Sequence, residues 1–212
     1  MAVSALLLAG MTEAYHQSWI NGPAVRDVLR PFGIDVYLSE DLEVLAAPGL
    51  SRYDLIINLS TGRTLGAEQE RGLLSFVRSG RGLVGIHNGA DTFKNSPQYI
   101  AALGGVFVGH PPQLDIAVEF VDPANPIVAG LEPFTLRDEL YLLDWQPERV
   151  HLIAETHSHE RREVPIAWTR EEGAGRVYYL SLGHNRSTYD HPTYAQMLGR
   201  GCRWAAGESV TA

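Results

Sequence analysis

The feature that most constrains this chain is a succession of short apolar runs, each followed by a stretch with helical spacing. VSALLLAG (3–10), IDVYL (34–38), YDLIINL (53–59) and GLVGIH (82–87) are rich in apolar residues and too short for helices. Runs of this kind suit strands covered on both faces, as in a parallel sheet packed between helices. The intervening SWINGPAVRDVLRPFG (18–33) and GAEQERGLLSFVRSG (66–80) place apolar residues at intervals of three and four and end in glycine, the usual C-terminal stop. The order and spacing predict a flavodoxin-like α/β start.

From about Gly104 onward the pattern changes. VFVGH (106–110), DIAVEFVD (115–122), VHLIAET (150–156) and VPIAWTR (164–170) alternate between turn signals, which predicts added antiparallel strands. GRVYYLSLGH (175–184) reads as a buried strand and PTYAQMLGRGCRWAAG (192–207) as a covering helix. The whole, 1–212, is expected to close one domain, since 212 residues make one sizeable core and are short for two.

Seventeen basic against 25 acidic residues give a net charge of -8, with no basic cluster to neutralise a phosphate backbone, so nucleic acid is not an expected partner. The one cysteine, Cys202, excludes an internal disulfide framework and a cysteine-based zinc cluster, and fits a reducing compartment. MAVSALLLAGM lacks the basic n-region of a signal peptide and reads as the first strand. No run approaches the roughly twenty apolar residues of a membrane span. A soluble cytoplasmic protein with no membrane partner is the expectation.

In open α/β sheets ligands bind outside the carboxyl ends of the strands. Four histidines fall at such ends or just after them: His16, His87, His110 and His184. Any one alone is more often a structural hydrogen-bonder; their convergence is the signal. In GLVGIHNGAD (82–91), Gly85-Ile86-His87-Asn88-Gly89 has the outline of the G-x-nucleophile-x-G elbow, with an imidazole where Ser or Cys would stand. Asp91 is expected one turn into the following helix, either orienting the imidazole or satisfying free N–H groups of the helix. SLGHNRSTYDHP (181–192) is a polar loop that brings Asn185, Arg186, Tyr189 and Asp190 close to His184, with His191 at the start of the last helix.

Glu139 lies in the apolar segment TLRDELYLLDW (135–145), where an unpaired carboxylate is costly. Asp138 points the other way in an extended chain, so Glu139 is taken as the inward one. HSHERRE (157–163) contains a His-x-His pair, but its charge density marks a solvated hairpin connection. Trp19, Tyr141, Trp145 and Tyr189 are either sugar platforms or core aromatics.

GLVGIHNGADTF, LGGVFVGHPP, DPANPIVAGL, DELY, PIAWTREEGAGRVYYLSLGHNRSTYDHP and RWAAG, in this order, resemble the ThuA-like proteins, named for trehalose utilisation, of the class I glutamine amidotransferase-like superfamily. The resemblance runs from about residue 3 to 207. It implies a flavodoxin-like three-layer sandwich with a mostly parallel sheet and additional antiparallel strands in the second half. In the amidotransferases the elbow carries Cys, and a later His stands two residues before a Glu. Here His87 occupies the elbow, His184 matches the later His and Arg186 replaces the Glu. Cys202 sits in the terminal helix, so thioester chemistry on glutamine is excluded.

The family context implies disaccharides and their 3-keto derivatives, made by a partner sugar dehydrogenase. The leading expectation is acid–base chemistry, isomerisation or cleavage, on a keto-sugar or related glycoside. His87 and His184 form the acid–base pair with Asp91, while His16, His110, Glu139, Asn88, Arg186 and Tyr189 hold the sugar. A metal version has His16, His110, Glu139 or His184 binding zinc or manganese. The competing class is a non-catalytic sugar-binding or regulatory protein. A homo-oligomer stays open.

Overall fold

The structure, a computed structural model, describes residues 2–10, 18–157 and 163–210. Its first half contains β1 (Val3–Leu8), α1 (Ser18–Leu29), β2 (Ile34–Ser39), β3 (Leu55–Asn58), α2 (Ala67–Arg78), β4 (Gly82–Ile86) and α3 (Pro97–Leu103). The second half adds β5 (Gly105–Gly109), β6 (Leu114–Phe120), β7 (Phe134–Asp138), β8 (Leu142–Trp145), β9 (His151–Thr156), β10 (Val164–Glu172), β11 (Gly175–Leu180), α4 (Arg186–Tyr189) and α5 (Pro192–Ala205). Among the described residues, nine strands form one sheet in the order β2-β1-β3-β4-β11-β10-β9-β6-β7, and β5 pairs with β8 in a separate ribbon.

The β2-β1-β3-β4-β11 stretch is parallel throughout, and β10, β9, β6 and β7 extend it antiparallel. This is the expected architecture: a flavodoxin-like parallel half continued by antiparallel strands. Strand alternation divides the core into two. Ala5 and Leu7, Leu55 and Ile57, Val84 and Ile86, and Tyr178 and Leu180 face a cluster that includes Val25, Leu29, Met197 and Leu198. Leu6 and Leu8, Ile56, Leu83, and Val177 and Tyr179 face Leu73, Leu74, Val77 and Leu103 on the other side. With α1 and α5 on one face and α2 and α3 on the other, each central strand is buried twice, which is why those runs read as continuously apolar. Each fully buried aliphatic side chain contributes about 1.5–3 kcal/mol.

Helix α2 shows how sequence fixes a boundary. Gln69 Oε1 accepts the Gly66 N–H at 2.9 Å, Glu68 and Glu70 sit in the first turn, and Arg78 sits in the last, each charge favourably placed against the helix dipole.

Two sequence expectations are corrected. TLRDELYLLDW is not one extended run: β7 pairs with β6 in the main sheet, β8 pairs with β5 in the ribbon, and residues 139–141 turn between them. Alternation therefore fails there, and Asp138 and Glu139 are both buried. Asp91 is not in a helix; it closes the short 3-10 turn His87–Ala90, and α3 begins six residues later at Pro97. No helix among the described residues is long and apolar enough to cross a membrane.

Candidate active site

Strand β4 delivers His87 to the carboxyl end of the sheet through a real elbow. The backbone of His87 has φ 43°, the left-handed region that an L side chain enters at a cost of about 1–2 kcal/mol. Neighbouring contacts hold it there. Tyr179 Oη donates to the His87 carbonyl at 2.9 Å, and Asn88 Nδ2 donates to Leu59 O at 2.8 Å. The flanking glycines are required by close approach: a Cβ on Gly85 would stand 2.7 Å from Leu103 Cδ1, and one on Gly89 would stand 2.7 Å from the Asn58 carbonyl oxygen.

The loop after β11 brings in His184, and Asp138 fixes it. Asp138 Oδ2 accepts from the Gly183 N–H (2.9 Å) and Thr188 Oγ1 (2.6 Å), while Oδ1 accepts from the His184 N–H (3.1 Å) and the Glu139 N–H (2.7 Å). Asn21 Nδ2 of α1 donates to the His184 carbonyl at 3.1 Å. A buried carboxylate so fully satisfied is a strong anchor.

Glu139 is the centre on which the histidines converge. Its Oε2 lies 3.1 Å from His184 Nδ1 and 3.4 Å from His87 Nε2, and its Oε1 lies 3.8 Å from His110 Nε2. The His87 ring is fully enclosed. Its Nδ1–H donates to the Ser181 carbonyl at 2.7 Å, and the Tyr141 ring packs against it with centroids 3.8 Å apart. The side chain of His184 is 19% exposed and that of His110 37%, so these two, not His87, face outward.

Charge follows geometry. Burial opposes ionisation of Glu139, but the hydrogen bonds and charges of His184 and His87 win and hold its pKa well below the ordinary glutamate value. Burial likewise opposes the charged form of His184, and is outweighed by the hydrogen bond and charge of Glu139, helped by Asp138, so its pKa is raised. The pair favours imidazolium beside carboxylate.

The residues expected from sequence separate into groups. His87, His184, Glu139 and His110 are brought together. His16 lies outside the described residues. Asp91 is ion-paired with Lys94 at 2.6 Å. Arg186 pairs with Asp190 at 2.6 Å on the exposed side of α4. Tyr189 is buried with its hydroxyl donating to the Gly183 carbonyl at 2.9 Å, and Asn88 is buried with its amide committed to Leu59 O and Thr61 Oγ1. The Tyr189 hydroxyl and the Asn88 Nδ2 thus tie their loops down, at Gly183 and at Leu59 and Thr61. His87 stands behind Glu139, closed off from solvent. Tyr141 and Trp145 are walls, packed on His87 and Trp168. Asp138 and Ser181 join the site without a sequence signal: strand alternation points Asp138 outward, and Ser181 acts through its backbone carbonyl, which no residue type announces.

The fold and this centre define a flavodoxin-like α/β protein whose elbow carries histidine and whose candidate site gathers imidazoles around one carboxylate. The chain belongs to the ThuA family, described as trehalose utilisation, whose family model matches residues 4–205. It is similar to a solved ThuA-like protein from Parabacteroides merdae, with 20% identity, TM-score 0.87, and coverage of 100% of this chain and 93% of that one. A second ThuA-like protein, from Bacteroides uniformis, gives 22% identity and TM-score 0.79 over 96% of this chain and 91% of the other. A β-galactosidase from Bacillus circulans sp. alkalophilus contains a similar fold over 99% of this chain but 32% of its own, at 13% identity and TM-score 0.70. No curated protein sequence matches the chain.

Proposed function

We propose that this protein is a carbohydrate-processing enzyme that moves protons on a 3-keto-disaccharide or related glycoside. The observation that carries the reading is the convergence of His184, His87 and His110 on Glu139 at the carboxyl end of the sheet. Family membership supports the substrate class, and the histidine at the elbow supports chemistry other than covalent attack.

A ketone at C3 acidifies the C2–H bond. An imidazole at the open side of the cluster, His110, takes that proton and leaves an enediolate. Returning a proton to C3, with C2 oxidised to the ketone as C3 is reduced, gives the isomer. Alternatively the electron pair forms the C1–C2 double bond, the C1–O glycosidic bond breaks, and the departing oxygen receives a proton from the His184 imidazolium. Glu139 and His87 hold the charge and orientation of His184 throughout. The 3-keto group is supplied by a dehydrogenase, and the reaction takes place in the cytoplasm.

Proton NMR in D2O with 3-ketotrehalose tests the reading. Loss of the C2 proton signal, isomer formation or cleavage above the buffer rate, abolished in His110→Asn, supports it. Saturable binding without exchange would make the protein a sugar-binding member of the family instead.

A further inference from the structure

The tautomers of the site histidines point to a second component. His87 Nδ1 faces the Ser181 carbonyl at 2.7 Å and His110 Nδ1 faces the Pro111 carbonyl at 2.8 Å. A carbonyl only accepts, so both Nδ1 atoms carry hydrogen, and each ring turns its Nε2 toward Glu139, where it carries a second hydrogen as imidazolium or offers a lone pair as the neutral ring. A metal cation between Nε2 and the carboxylate takes the place of that second hydrogen, across separations of 3.4 and 3.8 Å. Imidazoles that bind metals regularly donate their other N–H to a backbone carbonyl in this way, which fixes the tautomer and the ring orientation.

The spacing fits an ion. Donor atoms of His87, Glu139 and His184 all lie within 4.8 Å of one another. The Glu139 Oε2 distances to His184 Nδ1 and His87 Nε2, 3.1 and 3.4 Å, bracket the edge of roughly 3.3 Å expected of a tetrahedron with ligands at about 2.0–2.1 Å. Two imidazoles and one carboxylate are a donor set for zinc in open catalytic sites, and for manganese or iron(II) in related ones.

We propose that His87 Nε2, a Glu139 carboxylate oxygen and His184 Nδ1 bind one divalent transition-metal ion, zinc by preference, with an open position toward His110. The enclosed His87 is then a ligand, which accounts for an imidazole with no exposed surface at the elbow. With the ion bound, His184 Nδ1 is occupied, and His110 becomes the imidazole free to move a proton. The site stands on donor geometry, independently of whether the substrate is a keto-sugar.

The test is zinc titration of chelator-treated protein, followed by calorimetry and by thermal melting, with metal content counted after gel filtration. The expected result is one zinc per chain and a melting temperature that rises with zinc, since a ligand of the native state stabilises it. Glu139→Gln and His184→Asn, each checked for a cooperative melt, should weaken binding at least a hundredfold. His157→Ala, which alters the separate group formed with Glu119 and Glu155, should leave it unchanged. Substoichiometric zinc, no thermal shift, or equal binding by the Glu139 variant would overturn the proposal. Metal uptake without any reaction on 3-keto-sugars would sink the carbohydrate reading alone, and turnover by protein that takes up no metal would do the reverse.

Discussion

Glu139 and His184 meet side chain to side chain at 3.1 Å, and the residue before Glu139 holds the backbone of His184 through a second hydrogen bond at 3.1 Å. One dipeptide, Asp138-Glu139, thus sets both the position and the charge of the exposed imidazole. Asp138 acts on where His184 sits, and Glu139 acts on its proton.

Asp138→Asn keeps the volume but removes two of the acceptor interactions that a carboxylate supplies to Gly183, His184 and Thr188. The variant should lose about 2–3 kcal/mol, seen as a fall of roughly 4–12 °C in melting temperature. Thr188→Val removes one of those bonds and should cost about 1 kcal/mol. Equal melting of Asp138→Asn and the wild type would show that the anchor contributes nothing.

His87 combines a strained backbone with a buried ring, and two substitutions separate them. Asn tolerates positive φ, so His87→Asn should fold with a melting temperature close to the wild type while exchange on the keto-sugar drops about 10²–10⁴-fold. His87→Val places a β-branched side chain at φ 43° and should melt well below His87→Asn. Similar melting of the two would remove backbone strain from the account.

Both glycines of the elbow are predicted to resist substitution. The Cβ of Gly89→Ala would press on the Asn58 carbonyl, a backbone atom that cannot yield, whereas that of Gly85→Ala would press on two buried side chains, Leu103 at 2.7 Å and the Tyr179 ring at 2.9 Å. Denaturant unfolding should show a loss of about 2–3 kcal/mol for the first and about 1–3 kcal/mol for the second, where the Tyr179 ring that holds the His87 carbonyl must also shift.

The signs of the two pKa shifts set a pH window for metal-free protein. Glu139 is held below its ordinary 4.5, so its contribution is complete above that pH and is lost as pH falls through the folded value. His184 is held above its ordinary 6.5, so its contribution is complete below that pH and is lost as pH rises through the folded value. The stability gap between wild type and Glu139→Gln, about 1–2 kcal/mol, should be widest between these limits and narrow on the alkaline side. His87, His110 and Asp138 face the same pair and are kept intact in this comparison. A gap that stays constant into alkaline pH would contradict the coupling.

The parallel half of the fold was legible because its strands are buried on both faces and declare themselves by composition alone. Strands β7 and β8 were not, since three residues break the alternation between them, and β7 pairs with the preceding β6 while β8 reaches back past both to β5. The same break explains Asp138, assigned outward by a period that does not apply there. Glu139 was legible through the cost of an apolar setting, and His87, His110 and His184 through their places after strands. Proximity in sequence misled for Arg186, Tyr189 and Asn88: a four-residue helix turns Arg186 to Asp190, while Tyr189 and Asn88 are taken up by backbone carbonyls.

The measurement closest to the central claim, that Glu139 joins these imidazoles into one centre, is a long-range ¹⁵N–¹H correlation spectrum of the histidine rings in chelator-treated protein, followed through pH. His87 and His110 should each carry hydrogen on Nδ1, and His184 should titrate above the ordinary histidine value in wild type but fall toward it in Glu139→Gln. An Nε2–H tautomer at His87, or a His184 titration indifferent to Glu139, would contradict the account.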